Sequence, residues 1–170
     1  MTIGVREMAE SEFDIVIEYF HKSTPEFLET LGVDPSRLPP PDIWRERFQR
    51  ERSRPVETRG WFLVAWLSGD RAVGFSSCDK IAYGEQANMH LHVVDPERRN
   101  QGFGVECVRR SAEIYFQRLK LKRLFCEPHA FNVAPNRTLQ RAGFKYVKTY
   151  MTVPGPLNFH QAVTRWVMER

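Results

Sequence analysis

Between residues 88 and 119 the apolar period switches from two to a helical spacing across a short glycine-bearing segment, which sets a strand, a tight loop and a helix in succession. Asn88 to Val94 (NMHLHVV) alternates and ends in β-branched residues, which reads as a strand. From Val105 to Leu119 the apolar residues Val105, Val108, Ala112, Ile114, Tyr115, Phe116 and Leu119 recur at helical spacing. Between them lies Arg99-Asn100-Gln101-Gly102-Phe103-Gly104. A strand, a glycine loop and a helix start make a nest of backbone N–H groups at the positive end of a helix dipole, which suits an anion, most often a phosphate. A Cβ at position 102 or 104 would hold the phosphate off the amides and narrow the available φ angles. The same pattern also arises as a tight strand-to-helix turn with no ligand.

Two phosphate loops fail on residue identity. A P-loop needs Lys and then Ser or Thr after its second glycine, where this chain has Val105-Glu106. A dinucleotide fingerprint needs a third glycine at the position of Cys107, and normally sits near a fold's first strand. The stretch does match Arg/Gln-x-x-Gly-x-Gly/Ala, as Arg99-x-x-Gly102-x-Gly104 preceded by Val93-Val94-Asp95-Pro96-Glu97-Arg98. Downstream, Leu124 to Asn132 (LFCEPHAFN) leads into Ala134 to Gln140 and then Ala142-Gly143-Phe144, with Asn132 eleven residues before the Gly-Phe pair. In this order and spacing the two blocks resemble the GNAT superfamily of N-acetyltransferases, loosely the ribosomal-protein and small-amine acetyltransferases, over about residues 60–153.

The bulk properties agree with an enzyme-sized globular chain. Its 170 residues suffice for one domain with a real core, taken as 1–170, and are too few for two ordinary ones. Hydrophobic content of 42% excludes a disordered class. No apolar run reaches the roughly 18 residues of a membrane span, and MTIGVREMAESEF lacks a charged-then-apolar leader, so a cytoplasmic protein with no membrane partner is expected. Cys78, Cys107 and Cys126 support neither a disulfide framework nor a zinc site, and no metal is expected. The net charge of +4 is a mild bias toward anionic ligands.

Patterning predicts an α/β (α+β) fold, a mixed and mostly antiparallel central sheet flanked by helices. A first strand over Ile3–Met8 precedes a helix capped by Ser11 with Asp14 three residues on. A short helix from Thr24-Pro25 ends at Gly32, a stiff loop covers Pro35–Pro41, and Asp42 caps a third helix to about Arg52. Strands over Trp61–Leu67, Arg71–Asp79 and Asn88–Val94 form a meander before the long helix. A strand over Arg123–Glu127, a helix over Pro135–Ala142 and strands over Phe144–Val153 and Ala162–Met168 follow.

The resemblance implies acetyl-CoA as co-substrate, and acyl transfer straight from the thioester to an amine in a ternary complex. It places Arg99, Asn100, Gln101, Gly102, Phe103, Gly104 and Val105 at the pyrophosphate, Val93 and Val94 along the pantetheine arm through their backbone, and Asn132 on the same arm through its amide. Asn132 also fits a helix N-cap. Glu127 is the implied general base, with an ordinary strand-end acid paired to an arginine as its bland counterpart. Where many relatives place a tyrosine general acid this chain has Leu139, so no general acid is assigned; Tyr146, Tyr150 and His129 are substitutes, or the thiolate leaves unprotonated.

His90 and His92 share one strand face and read as sheet residues, a relay or a metal pair lacking a spaced third ligand. The arginines of Arg45–Arg54 alternate with Glu46 and Glu51, a solvated face and no nucleic-acid surface. The expected function is acetyl transfer to a primary amine of a small molecule or peptide, lying against the first two helices and the loop between the last strands. Phe20, Phe27, Leu28, Leu31, Trp44 and Phe48 supply apolar surface there. A non-catalytic acyl-CoA sensor of the same fold is the alternative, a longer or acidic acyl-CoA is a third reading, and a homodimer is left open.

Overall fold

The computed structural model describes residues 2–98 and 102–170. Its strands are β1 (Ile3–Glu7), β2 (Phe62–Ser68), β3 (Arg71–Ala82), β4 (Gln86–Val93), β5 (Arg123–Cys126), β6 (Lys145–Thr152) and β7 (Gln161–Glu169). They form a seven-stranded sheet in the order β1-β2-β3-β4-β5-β7-β6. Hairpins make most neighbours antiparallel. The β4–β5 pair is parallel, because its connection is a crossover through the long helix α4 (Phe103–Leu119).

Helices α1 (Phe13–His21), α2 (Pro25–Thr30) and α3 (Pro41–Ser53) cover one face of the sheet, and α4 with α5 (Val133–Ala142) covers the other. Strand β2 reads as an unbroken apolar run because both its faces are buried. Phe62, Val64 and Trp66 join the α4 core while Ala65 and Leu67 join the α1–α3 core, as the period of two requires. Two buried polar contacts fix α4 on its face: Trp66 Nε1 donates to Ser111 Oγ at 2.8 Å, and the hydroxyls of Ser76 and Tyr115 lie 2.6 Å apart.

Several element ends differ from expectation. Ser11 does not cap α1: a 3-10 turn over Glu10–Glu12 precedes the helix, and Glu12 Oε2 accepts from the Ala9 N–H at 2.8 Å while Arg6 holds both its oxygens. The carboxylate reaches back where a hydroxyl was expected. Asp42 lies inside the first turn of α3, since Pro41 already occupies the position that lacks an N–H requirement. Thr24 caps α2 as expected, its side chain accepting from Phe27 N. Strand β3 runs past Asp79 to Ala82 through an irregularity in its pairing with β4, and β4 ends at Val93, before Val94.

Candidate functional site

Parallel pairing between β4 and β5 runs from Gln86↔Arg123 to Met89↔Cys126, whereas β4 continues to Val93. Beyond Cys126 the chain turns onto β7 instead, with Thr164 N donating to Pro128 O and Ala130 N to Ala162 O. The two parallel strands therefore part from His90 onward and leave a wedge in the middle of the sheet. The crossover connection leaving β4 ends at the α4 N-terminus, where Gly102 sits at φ +75°. That left-handed conformation favours glycine. A Cβ at Gly102 would meet nothing within 4 Å, and one at Gly104 would make only ordinary contacts with Thr138 and Val93. Among the described residues, none crowds a Cβ at Gly102, and the first N–H groups of a 17-residue helix have no partner within the helix.

The sequence-expected cofactor residues divide by location. Arg99, Asn100 and Gln101 lie outside the described residues. Phe103 is buried near Trp66 and Val105 packs partly against the same core, so both offer backbone rather than side chain. The Val94 N–H is already bonded to Val73 O at 3.0 Å, because the chain still follows β3 there; an arm alongside Val94 has its carbonyl alone. Asn132 stands at the N-cap of α5 without making a side-chain cap bond, and it lines a cavity instead.

That cavity, about 140 Å³, lies between the wedge, helices α1–α3 and the loop joining β6 to β7. One end is charged. The Glu127 side chain is only 4% exposed; its Oε1 accepts from Tyr150 OH at 2.6 Å and pairs with Arg165. Burial, then the bond to Glu127, raises the Tyr150 phenol above its ordinary value. Asp79 Oδ1 and His90 Nε2 lie 3.0 Å apart, in charge contact but out of line for a hydrogen bond. Burial pulls His90 down, yet the Asp79 carboxylate outweighs it and the imidazole ends above its usual value. Burial likewise opposes the charge on Asp79, and His90 outweighs it, leaving the carboxyl below its usual range.

The other end is aromatic. Phe20 and Trp44 have ring centroids 5.5 Å apart, Trp44 and Phe48 5.7 Å, and Phe48 and Trp61 5.4 Å. His92 packs against Phe75 at 4.9 Å and Phe20 at 5.2 Å, and burial drives its value down to about 3, so it is neutral. The roof is Pro154–Asn158. It is tied down by Asp34 N to Leu157 O at 2.8 Å, by Lys80 Nζ to Pro154 O at 2.6 Å and by Asn158 Nδ2 to Gly32 O at 2.9 Å.

His90 and His92 do face one side, as the strand period requires, and among the described residues no metal-ligand cluster accompanies them. Sequence reasoning missed Asp79 and Arg165, the partners of His90 and Glu127. Register alone brings them in: Ser77 opposes His90, with Asp79 two residues on, and Cys126 opposes Trp166, next to Arg165. Of the expected acceptor surface, Phe20, Leu31, Trp44 and Phe48 line the cavity; Phe27 and Leu28 do not, and Leu28 is core. Leu139 is fully buried, Tyr146 is exposed on β6, and the Tyr150 proton is engaged by Glu127. His129 lines the cavity, its Nδ1 accepting from Phe131 N at 3.2 Å. Cys126 lines it too, but burial and then the Glu127 charge push its thiol up, away from a nucleophilic thiolate. In the basic helix, Arg45 pairs with Asp14, Arg52 with Glu7 and Arg54 with Glu51.

Residues 3–145 match the family described as acetyltransferase (GNAT) domain. Among solved structures, the chain is similar to the spermidine N-acetyltransferase from Vibrio cholerae in complex with CoA and spermine (TM-score 0.78, 14% identity, 98% of this chain and 95% of that one). It is also similar to RimL, a ribosomal L7/L12 alpha-N-protein acetyltransferase in complex with coenzyme A (TM-score 0.76, 17% identity, 99% and 94%). A third similar structure is the aminoglycoside acetyltransferase AAC(6')-Ib in complex with coenzyme A and kanamycin (TM-score 0.73, 14% identity, 99% and 95%). No curated protein matches the sequence significantly.

Proposed function

The chain belongs to the GNAT acetyltransferase family, and from that premise we propose that it is an acetyl-CoA-dependent N-acetyltransferase acting on a primary amine of a small molecule or peptide. The observation that carries this reading is the wedge between β4 and β5, which connects the glycine-capped start of α4 to a cavity holding Glu127 and the Asp79–His90 pair. Acetyl-CoA supplies the acyl thioester. The α4 amides hold its diphosphate, the wedge takes its arm, and Asn132 contacts that arm. The acceptor nitrogen attacks the acyl carbon as the C–S bond breaks. The proton leaves the nitrogen for Glu127, directly or through a water. Arg165 and Tyr150 both act on Oε1, so Oε2 is the proton acceptor. The thiolate departs without a general acid, its conjugate thiol being acidic enough at about 8.5 by the cysteine guide.

A second reading, an acyl-CoA-binding sensor without transfer, draws support from Leu139 and from the ion pair that engages Glu127. Calorimetry with acetyl-CoA, followed by thiol release in the presence of primary amines, separates the two. Binding with amine-dependent thiol release is expected. Binding without release for any amine or peptide supports the sensor, and no binding removes both.

A further inference from the structure

The cavity is more particular than a generic amine site. We propose that the acceptor is a small primary monoamine with an aryl body, its ring in the aromatic end and its nitrogen at Glu127; this rests on the acetyl-transfer reading above. Three observations converge on that class. The far wall is made by Phe20, Trp44, Phe48 and Phe75 with a neutral His92 among them, and it presents no charge to a ligand. The whole cavity, charged end included, is about 140 Å³, close to the roughly 150 Å³ at which an apolar protein cavity accepts benzene, which suits an acceptor with one ring and no more. Finally, the carboxylates lining the cavity are Asp79 and Glu127, and both stand at its charged end, beside His90 and Arg165.

The third point decides against polycations. An amine that loses its proton during transfer needs no lasting counter-charge. Each additional ammonium of a polyamine or aminoglycoside does, and a cation enclosed without one is strongly disfavoured. Both carboxylates stand at the charged end, so neither meets a second ammonium lodged among the rings. An aryl ring, by contrast, replaces water against apolar walls and gains from edge and offset contacts with them.

The test is an acceptor panel with acetyl-CoA and free-thiol detection on the full chain: 2-phenylethylamine, ethylamine, spermidine, kanamycin and a peptide amide beginning with Phe. The expected result is a kcat/KM for 2-phenylethylamine about 30-fold above ethylamine, from burial of one ring. Spermidine and kanamycin are expected to fall below ethylamine. Leu31→Trp, which fills the cavity from the end of α2, is expected to bring the phenylethylamine-to-ethylamine ratio toward unity. Equal use of ethylamine and 2-phenylethylamine, or a preference for spermidine or kanamycin, overturns the proposal while acetyl transfer stands. So does a peptide favoured about tenfold over the monoamine, which would make the occupant a chain terminus. Absence of thiol release with every member of the panel removes the transfer reading, and this inference with it.

Discussion

His90 and His92 are neighbours on one face of β4 and line the same cavity, yet their surroundings push them in opposite directions. At the charged end burial is offset by a carboxylate 3.0 Å away, and His90 rises; at the aromatic end the surrounding rings offer no such charge, and His92 drops to about 3. Removal from water therefore does not set the sign of a shift by itself; the nearest opposite charge does. The cavity inherits that contrast. One end gathers the titratable groups, and the other is walled by rings whose unpartnered polar atoms are Trp44 Nε1 and His92 Nδ1.

The hardest blow to the contrast is expected from Glu127→Gln, which keeps the shape and removes the proton acceptor. Steady-state kinetics should show kcat/KM lower by about 10²–10³-fold, and the pH–rate profile should lose its acidic limb. Unchanged values would leave the charged end a purely structural ion-pair site. At the aromatic end, Phe48→Ala is expected to cost about 3–5 kcal/mol in urea unfolding, because a ring that is 4% exposed leaves a cavity its neighbours cannot fill.

The histidines themselves give a smaller, signed effect. Below its ordinary value of 6.5, His92 binds a proton when unfolded but not when folded until about pH 3. The wild type should therefore lose up to about 1.4 kcal/mol per pH unit from this group as pH falls through that window. His92→Leu should remove that component of the slope. His90 behaves oppositely: its contribution is complete below 6.5 and fades as pH rises through its raised folded value. Its removal should matter progressively less under alkaline conditions. Identical slopes for both variants would erase the distinction between the two ends.

The smallest stability effect is expected at Gly104. Alanine there meets only ordinary contacts and improves helix propensity, so the fold should be unchanged or up to about 1 kcal/mol more stable. Calorimetric affinity for acetyl-CoA should nevertheless weaken, by about tenfold if a methyl lifts the diphosphate off the amides by a few tenths of an ångström. A variant as tight as wild type would move the diphosphate away from this turn.

Local patterning carried much of this molecule. The change of period around Gly102, the alternating strands and the amphipathic helices are written in neighbouring residues, and they placed the sheet, the crossover and the start of the long helix within a few residues of their observed positions. Helix starts were less legible, because a carboxylate at Glu12 and a proline at Pro41 took roles that a hydroxyl and Asp42 fit equally well on paper. The partners that give the site its chemistry were not legible at all. Asp79 reaches His90 only through the β3–β4 register, and Arg165 reaches Glu127 across 38 residues only through β5–β7 pairing. Periodicity tells which face a side chain takes; strand register, set by the whole sheet, tells which charge it meets.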